Sequence, residues 1–376
     1  MVALGDHVDL LTGYPFKSKD YTDNPDDTRL ISGYNIMQGY LRWDITNRWP
    51  VSKSSGLEKY RLQANDVVLA MDRPWIDAGL KYAWMKQDDL PCLLVQRTAR
   101  LRGSETLDIG FLRHLIGGPQ FTSYTKRITT GTAVPHISPT DIKSFRFLLP
   151  SLPEQRKIAN ILSTWDEAIV LTERRIQAAR RRKKGLMQRL LTGRVRIPEF
   201  EEKWKKFEFS DLFETRSSRN HQVRKSEYTD IGKYPIVDQG QQLIAGYTDC
   251  ENPIESVPVI VFGDHTRALK WVDFPFVVGA DGTQLLSARE PCELLFGYYL
   301  LHTAHVPNLG YSRHFKLLKE MVFSIPTNKE EQRRITAVLQ ACDREIDLLS
   351  QKRDALQRQK KGLVQRLLTG RVRVKV

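Results

Sequence analysis

The chain has 376 residues, 41% of them hydrophobic and 27% charged, and this composition predicts two to three folded domains and excludes wholesale disorder. Lys and Arg outnumber Asp and Glu by 14, which is typical of proteins that contact nucleic acid or another polyanion. No apolar run is long enough to span a bilayer, and the first residues lack a signal-peptide pattern. We therefore expect a cytoplasmic protein that is not associated with a membrane.

Two nearly identical segments give the chain its organisation. KKGLMQRLLTGRVR begins at Lys183, and KKGLVQRLLTGRVR begins at Lys360, 177 residues later. The same spacing relates EQRKI at Glu154 to EQRRI at Glu331. Such internal repetition indicates a duplicated unit, in which each copy consists of a head and a connector.

We divide the chain into four segments at these repeats. Head 1 is residues 1–150, connector 1 is 151–197, head 2 is 198–327 and connector 2 is 328–376. The connectors are far more alike than the heads. One scaffold that carries two different heads suggests one function with two specificities.

The positive charge is concentrated in the connectors. Net charge counted over residues 1–153, 154–197, 198–328 and 329–376 is +3, +8, −4 and +7, respectively. The heads are therefore close to neutral, and any polyanion contact they make must come from local patches.

Head 1 alternates short strand-like runs with turns. Asp66–Met71 and Phe145–Pro150 have the composition of strands, and Ile109–Ile116 is typical of a short helix. This pattern predicts a mixed α/β domain.

Connector 1 has the signals of one long helix. Ser151 and Glu154 have the spacing of a capping box, Pro153 falls in the first turn, and Gly193 is expected to end the helix in a left-handed conformation. Eight of its ten heptad a and d positions are apolar, which predicts a coiled-coil seam. These positions are Ile158, Leu162, Trp165, Ile169, Thr172, Ile176, Ala179, Lys183, Leu186 and Leu190.

Head 2 resembles head 1 in outline. Pro258–Phe262, Phe276–Gly279 and Met321–Pro326 read as strands, and Cys292–His302 reads as a helix. Three pairs of runs align the two heads, which predicts one fold with diverged loops. The pairs are LGD at Leu4 with FSD at Phe209, DVVLAMDR at Asp66 with PVIVFGDHTR at Pro258, and GTAVPHI (131–137) with GYSRHF (310–315).

Connector 2 repeats the signals of connector 1. Thr327 and Glu330 have the capping-box spacing, and Gly370 follows the periodic run. Eight of its ten seam positions are apolar as well. These positions are Ile335, Leu339, Cys342, Ile346, Leu349, Arg353, Leu356, Lys360, Leu363 and Leu367.

Each connector helix would be about 40 residues, or about 60 Å long, and must pack against another element to be stable. We predict that the two helices pair with each other in an antiparallel coiled coil. The fold class is then α+β: two mixed α/β heads joined by two long antiparallel coiled-coil helices, with a pseudo-two-fold axis. On duplex DNA such an arrangement would hold two half-sites within about 18 base pairs.

The loops of both heads contain side chains suited to DNA. Arg and Lys contact guanine or phosphate, and Asn and Gln contact adenine. In head 1 the candidates are Arg42, Asn47, Arg48, Lys53, Arg73, Lys126, Arg127 and His136. In head 2 they are Arg216, Arg219, Asn220, Gln222, Arg224, Lys225, Thr266, Arg267, Arg313 and His314. In connector 1 they are Arg181, Arg182 and Lys184.

The basic tracts of the connectors have two interpretations. They either follow phosphates between the half-sites or dock acidic surfaces of partner proteins. We favour phosphate contact. We also expect the C-terminal tail, Arg371–Val376, to continue toward head 1, so that deletion of the tail would loosen that head.

No catalytic motif accompanies these features. The sequence has no phosphate-binding loop, no dinucleotide fingerprint, no [DN]PP[FYW] methyltransferase loop, no HExxH and no paired CxxC. Glu201-Glu202-Lys203 mimics a nuclease site but lies in a charged linker. We therefore expect no catalytic residue and no metal site in this chain, and reduced cysteines. The four cysteines are Cys92, Cys250, Cys292 and Cys342.

PSLPEQRKIANIL, IPTNKEEQRRITAVL and the two KKGL[MV]QRLLTGRVR stretches resemble the specificity (S) subunits of type I restriction-modification systems, and the resemblance covers the whole chain. It implies that each head is a target recognition domain for half of a split, asymmetric DNA site. It also implies two methyltransferase subunits that use S-adenosylmethionine for N6-adenine methylation. Restriction subunits, when present, would use ATP and Mg²⁺, and this chain would hold no cofactor.

The chain departs from the pattern in one respect. Head 1 lacks the Trp-containing stretch that precedes head 2 around Trp204, so that either the start is truncated or the stretch is redundant there. Two other functions stay open: a stand-alone DNA-modifying enzyme, and a structural coiled-coil adaptor with protein-binding heads.

Overall fold

The chain forms two compact units, and each contains one head with part of both connectors. Unit 1 comprises Met1–Thr172 and Lys352–Val376, and unit 2 comprises Glu173–Gln351. The computed structural model describes residues 1–129, 134–279, 281–310 and 312–375. None of the helices within these ranges has the length and apolar character needed to cross a membrane.

Two long helices correspond to the predicted connectors. The α-helices are α1 (Ile109–Ile116), α2 (Pro119–Thr129), α3 (Pro139–Ser144), α4 (Leu152–Leu190), α5 (Phe209–Leu212), α6 (Leu294–Leu301), α7 (Phe315–Lys319) and α8 (Lys329–Leu368). Gly193 and Gly370 follow α4 and α8 with φ angles of 68° and 69°. This left-handed conformation confirms the predicted helix ends.

The helix starts differ from the predicted capping boxes. Asn328, not Thr327, caps α8, because its Oδ1 accepts a hydrogen bond from the amide of Glu330 at 2.9 Å. Glu154 does not fold back on the start of α4. Its two carboxylate oxygens instead accept hydrogen bonds from Arg373 at 2.8 and 2.6 Å.

The two helices run antiparallel where they meet within each unit. In unit 1, Asp166 of α4 pairs with Lys360 of α8, and the earlier Glu154 pairs with the later Arg373. In unit 2, Lys183 pairs with Asp343, and the later pairing of Arg196 is with the earlier Glu331. All of the predicted seam positions are buried or half-buried, which supports the heptad assignment.

Head 1 contains a sheet of four strands and a sheet of three strands. The strands are β1 (Val2–Ala3), β2 (Val8–Thr12), β3 (Thr28–Ile31), β4 (Arg48–Trp49), β5 (Val67–Ala70), β6 (Trp75–Ile76), β7 (Gly79–Leu80), β8 (Tyr82–Trp84), β9 (Cys92–Leu94), β10 (Thr98–Gly103) and β11 (Arg146–Phe147). One sheet has the order β2-β10-β5-β8, all antiparallel. The second has the order β4-β3-β9, with β3 and β9 parallel. The pairs β1–β11 and β6–β7 complete the unit.

Head 2 repeats this arrangement. Its strands are β12 (Lys205–Glu208), β13 (Phe213–Arg216), β14 (Tyr234–Val237), β15 (Gly246–Thr248), β16 (Val259–Gly263), β17 (Leu269–Val272), β18 (Val277–Val278), β19 (Thr283–Ala288) and β20 (Val322–Ile325). The larger sheet has the order β13-β19-β16-β17, and the smaller has β15-β14-β18, with β14 and β18 parallel. The order and the single parallel pair match those of head 1, which confirms that the heads share one fold.

The strand register refines the sequence alignment of the heads. The runs that begin at Asp66 and Pro258 do occupy equivalent strands, β5 and β16. However, Val67 faces the same core as the connector helices, and so does Ile260. Val67 thus corresponds to Ile260, and a letter-by-letter alignment from the start of the two runs is out by one residue.

The core of each unit joins the head to its connector segments. In unit 1, Phe111 of α1 packs with Ile158 and Leu162 of α4 and with Leu367 of α8. In unit 2, Phe296 of α6 shares one buried cluster with Leu190 at the end of α4, with Leu191 directly after it, and with Ile335 and Leu339 of α8. Burial of large side chains of this kind contributes about 2 kcal/mol each.

The cysteines are free, as expected. Cys92, Cys292 and Cys342 are buried, and Cys250 is half-buried. Burial raises the pKa of both Cys92 and Cys292 to about 12, so these two thiols stay protonated and unreactive.

Candidate nucleic-acid interface

A polar cleft of about 650 Å³ lies in unit 2, beside the ends of β13, β16 and β19. It brings together three of the predicted DNA-binding residues, Arg216, Gln222 and Arg313. His265 and Gln284 line the same cleft. These side chains offer the hydrogen-bond donors and acceptors that the edges of base pairs require.

Two of these residues are fixed by bonds to their own head. Nη1 of Arg216 donates to the carbonyl oxygen of Ser256 at 2.8 Å. Nε2 of Gln222 donates to Oγ of Ser218 at 3.4 Å. Arg313 is exposed at the mouth of the cleft. Because Arg216 and Gln222 are already held by these bonds, they lose less conformational freedom when they contact a ligand.

The prediction for His314 is wrong. Its ring is fully buried, Nδ1 donates to the carbonyl oxygen of Asp264 at 2.9 Å, and Nε2 accepts from the amide of Leu309 at 3.2 Å. Both ring nitrogens are used within the fold, so His314 holds the loop in place and does not face a ligand. The exposed neighbour is Arg313.

Thr266 and Arg267 also lie outside the cleft. The hydroxyl of Thr266 donates to the carbonyl oxygen of Gln239 and accepts from the amide of Ala268. Nη1 of Arg267 donates to the carbonyl oxygen of Val306 at 3.0 Å, and its backbone has a φ of 61°. Both side chains line a separate cavity of about 360 Å³. These two predicted residues therefore line a different cavity from the one that Arg216 and Arg313 line.

The remaining candidates of head 2 lie on neighbouring loops. Arg224 and Lys225 are exposed at the start of a short 3₁₀ turn. Asn220 is exposed, and its carbonyl oxygen accepts a hydrogen bond from Asn252. The side chain of Arg219 is outside the described part of the chain.

In head 1, two of the predicted residues lie close together. His136 precedes α3, and its Nδ1 contacts Oδ1 of Asp72, which follows β5. Arg73 is exposed, and its amide donates to the carbonyl oxygen of Pro135 at 2.9 Å. The other carboxylate oxygen of Asp72 accepts from Nη1 of Arg97, which precedes β10.

Asp72 is held in its charged form. Partial burial raises its pKa, but the hydrogen bonds from His136 and Arg97 outweigh this, so that the pKa of Asp72 lies below its usual value. A single charged carboxylate therefore fixes two donor side chains at one edge of the sheet.

Other candidates in head 1 have partners within the head. Nε of Arg42 donates to the carbonyl oxygen of Tyr34 at 3.0 Å. Nη1 of Arg48 donates to the carbonyl oxygen of Asp27 at 2.8 Å, and Nζ of Lys53 pairs with the carboxylate of Asp20 at 2.7 Å. These bonds give the three cations a role in holding the loops. Asn47 is exposed in the same region.

Lys126 and Arg127 lie on α2, which has no counterpart among the described residues between α6 and α7 of head 2. Both side chains are exposed. The guanidinium of Arg127 lies 6.0 Å from the centre of the Tyr124 ring. Both residues thus belong to α2 and not to the loops that carry Asp72, Arg97 and His136.

The three connector candidates are exposed on α4 within unit 2. Arg182 pairs with Glu345 of α8. Lys184 lines a cavity of about 630 Å³ together with Lys183 and His302. Burial, with a contribution from Lys183, lowers the pKa of His302 to about 4, so this ring is neutral at physiological pH.

Sequence reasoning missed Arg97 and Gln284. Arg97 lies in no motif, and its position beside Asp72 depends on the pairing of β5 with β10, residues that are far apart in the chain. Gln284 lies inside a strand, where a lone polar residue is an ordinary feature. No signal in the sequence distinguishes either residue from its neighbours.

The features above define a class of protein: one chain with two heads of the same fold, whose equivalent loops carry different polar side chains. A family model described as the type I restriction modification DNA specificity domain matches residues 1–181 and 201–358. The chain belongs to this family.

Known relatives agree with this membership. The EcoAI specificity subunit of Escherichia coli is 36% identical over 170 residues, which are 44% of this chain and 27% of that protein. The MjaVIII specificity subunit of Methanocaldococcus jannaschii is 28% identical over 198 residues, which are 52% of this chain and 46% of that protein. The chain thus matches less than half the length of these two relatives.

The fold also matches a solved structure. The S subunit of the type I restriction-modification system from M. genitalium superposes with a TM-score of 0.60 at 16% identity. The match covers 97% of this chain and 95% of that chain. At this identity the likeness concerns the fold alone.

Proposed function

We propose that the chain is the non-catalytic DNA-recognition subunit of a type I restriction-modification complex. Each head, residues 1–150 and 198–327, is a target recognition domain that reads one half of a bipartite, asymmetric site. The observation that carries this proposal is the shared fold of the heads with unlike polar side chains at equivalent loops. A duplicated reader with diverged loops fits a split site whose halves differ.

The connectors, residues 151–197 and 328–376, set the spacing of the half-sites and dock the partner subunits. Their helices of 39 and 40 residues are each about 60 Å long, which bounds the separation at about 18 base pairs of duplex DNA. The repeated Glu–Arg pairs at both helix starts support a rigid role for this part of the chain.

The partners are double-stranded DNA and two methyltransferase subunits, with restriction subunits in a complete system. S-adenosylmethionine, ATP and Mg²⁺ then act in those partners and not in this chain. The names of the relatives support this assignment. So does the similarity, at a TM-score of 0.58, to a chain from a structure described as concerning complex assembly and conformational transition of the type I R-M system.

The test is selection of bound DNA from a pool of randomised duplexes. The full chain, purified from its host with any subunits bound to it, is mixed with the pool, and the recovered sequences are read. We expect a motif of two unlike half-sites at a fixed spacing. Recovery without any motif would contradict the proposal and favour an adaptor with protein-binding heads.

The stand-alone enzyme is tested separately. The chain freed of its partners is incubated with duplex DNA, S-adenosylmethionine and Mg²⁺. We expect neither methylated adenine nor cleaved strands. Either product would show that the chain carries a catalytic site of its own.

The basic face of connector 1 is assigned to phosphate contact. Arg181→Glu with Lys184→Glu should weaken binding to all sequences alike and reduce the slope of log affinity against log salt by about 1 to 2. Arg182 is left unchanged, because reversal of its charge would also break its pair with Glu345. A loss of partner subunits with an unchanged salt slope would instead identify this face as a docking surface.

A further inference from the structure

Three loops of head 1 are tied together beyond the ends of β5 and β10. The amide of Met71 donates to the carbonyl oxygen of Arg97 at 2.9 Å. The amide of Ile137 donates to the carbonyl oxygen of Met71 at 2.8 Å, and the amide of Arg73 donates to the carbonyl oxygen of Pro135 at 2.9 Å. These backbone bonds fix the places from which the side chains of the loops project.

Two of these three bonds, those that involve Met71, have counterparts in head 2. The amide of Asp264 donates to the carbonyl oxygen of Gly282 at 2.7 Å. The amide of His314 donates to the carbonyl oxygen of Asp264 at 2.9 Å. Ile137 and His314 are both fully buried. The two bonds therefore mark equivalent positions in the two heads.

This equivalence aligns the side chains that project from the loops. The equivalent pairs are Asp72 with His265, Arg97 with Gly282, and His136 with Arg313. In head 2, His265, Gly282 and Arg313 all line the polar cleft of about 650 Å³. The Asp72 contacts of head 1 therefore occupy the place that the cleft occupies in head 2.

The side chains at this place differ in kind between the heads. In head 1, Asp72 is only 22% exposed and contacts both Arg97 and His136, which are 70% and 48% exposed. A half-buried carboxylate thus holds two donors that face solvent. An arginine fixed in this way presents the planar fork that matches guanine O6 and N7.

The backbone of Arg97 supplies an independent observation. Its φ is 66°, and the equivalent Gly282 has a φ of 91°. Both heads therefore need a left-handed residue here, which glycine adopts without strain and arginine does not. In head 2 a side chain would also collide with Gln239, since a Cβ on Gly282 would lie 2.8 Å from its Oε1. Head 1 keeps a strained arginine where glycine would fit, and such strain is concentrated at ligand-contact sites.

We infer that Arg97 is a specificity-determining residue of head 1 that reads a guanine in one half-site, with Asp72 as its positioning residue. The inference rests on the proposed function of the heads as DNA readers. His136 lies beside Arg97 and contacts the same base pair or its neighbour. In head 2 the equivalent place is taken by His265 and Arg313, which gives the second half-site a different sequence.

The test compares variants in the selection from randomised duplex DNA. Arg97→Gly installs the residue of head 2 and relieves the strained backbone, so the fold is retained. Asn65→Gly is the matched control, because Asn65 of head 1 also has a positive φ, of 71°, but does not belong to the three loops. Arg313→Ala changes the equivalent place in head 2. Melting temperatures of all variants are measured alongside.

We expect Arg97→Gly to lose preference at one guanine of one half-site by about 10- to 100-fold, while the other half-site is unchanged. Asp72→Asn should reduce the same preference, and Asn65→Gly should leave the whole motif intact. Arg313→Ala should alter only the other half-site.

Three results would overturn the inference, and they are distinct. If Arg97→Gly recovers the native motif, Arg97 does not read a base. If it weakens binding to all sequences equally and lowers the salt slope by about 1, Arg97 contacts a phosphate instead. If the native chain itself recovers no motif, the proposed function fails, and this inference fails with it.

Discussion

The two heads are most alike where their side chains are buried and most unlike where their loops open to solvent. Strand order, the single parallel strand pair and the helix that packs on the connectors recur in both. At the equivalent loops, head 1 has a carboxylate that binds two donors, and head 2 has a polar cleft. Packing thus constrains the scaffold, whereas the loops are free to change what they contact.

The two connectors likewise share a buried feature and differ in one of its contacts. Glu154 and Glu331 are both nearly fully buried, and each binds the second arginine of a GRVR segment, Arg373 and Arg196 respectively. In unit 2 the pair also receives a hydrogen bond from Nε1 of Trp204 at 3.1 Å. In unit 1 the amide of Val374 occupies that role, also at 3.1 Å. The equivalent hydrogen bond to the buried glutamate thus comes from a side chain in unit 2 and from a backbone amide in unit 1.

The largest expected effect comes from breaking the buried pair of unit 2. Arg196→Met leaves the carboxylate of Glu331 buried without its cation, which should lower the free energy of unfolding by about 3 to 5 kcal/mol. Arg373→Met should destabilise unit 1 less, because Arg373 is 66% exposed and Arg196 only 27%. Native-state hydrogen exchange in peptides from each unit measures the two losses separately.

The control for this pair is Arg194→Met, which removes an exposed cation two residues earlier. Exchange in that variant should match the native chain. Equal losses for Arg196→Met and Arg373→Met would show that solvent exposure does not distinguish the two pairs.

A smaller effect should separate scaffold from reader within one loop. His314→Ala removes two buried hydrogen bonds and should lower the free energy of unfolding of unit 2 by about 1 to 3 kcal/mol. Arg313→Ala, one residue earlier and exposed, should change it by less than about 0.5 kcal/mol. Urea unfolding of the full chain, followed by peptide-resolved exchange, checks both. A reversal of the two results would contradict the assignment of His314 to the scaffold.

The sequence was sufficient to predict the connectors and the duplication. Gly193 and Gly370 end the helices as expected, and the heptad positions are buried or half-buried, because these features depend on neighbours within one helix. The cap of α8 was predicted one residue early, at Thr327, since both Thr327 and Asn328 are suitable caps and only the backbone distinguishes them.

The site was harder to predict, because it depends on contacts between distant segments. A shift of one residue exchanges the buried and the exposed face of a strand or loop. This is why sequence reasoning named His314 and Arg313 together, although one is buried and the other open. Arg97 was missed for a related reason: its left-handed backbone and its carboxylate partner both follow from the pairing of β5 with β10.

The smallest expected effect is the pH dependence of the pair between Glu154 and Arg373. The hydrogen bond from Arg373 lowers the pKa of Glu154 below its ordinary value of 4.5, despite partial opposition from burial. A lowered pKa in the folded state means that the stabilisation is fully present above pH 4.5 and is lost as the pH falls through the lower folded value. The urea midpoint of unit 1 should therefore fall between pH 5 and pH 3 by more in the native chain than in Glu154→Gln, which cannot titrate at this position. Other carboxylates contribute equally to both proteins, so the difference between the two slopes isolates Glu154. Parallel slopes would mean that the tail is held by the packing of Val374 against the core of unit 1 and not by the charge of the pair.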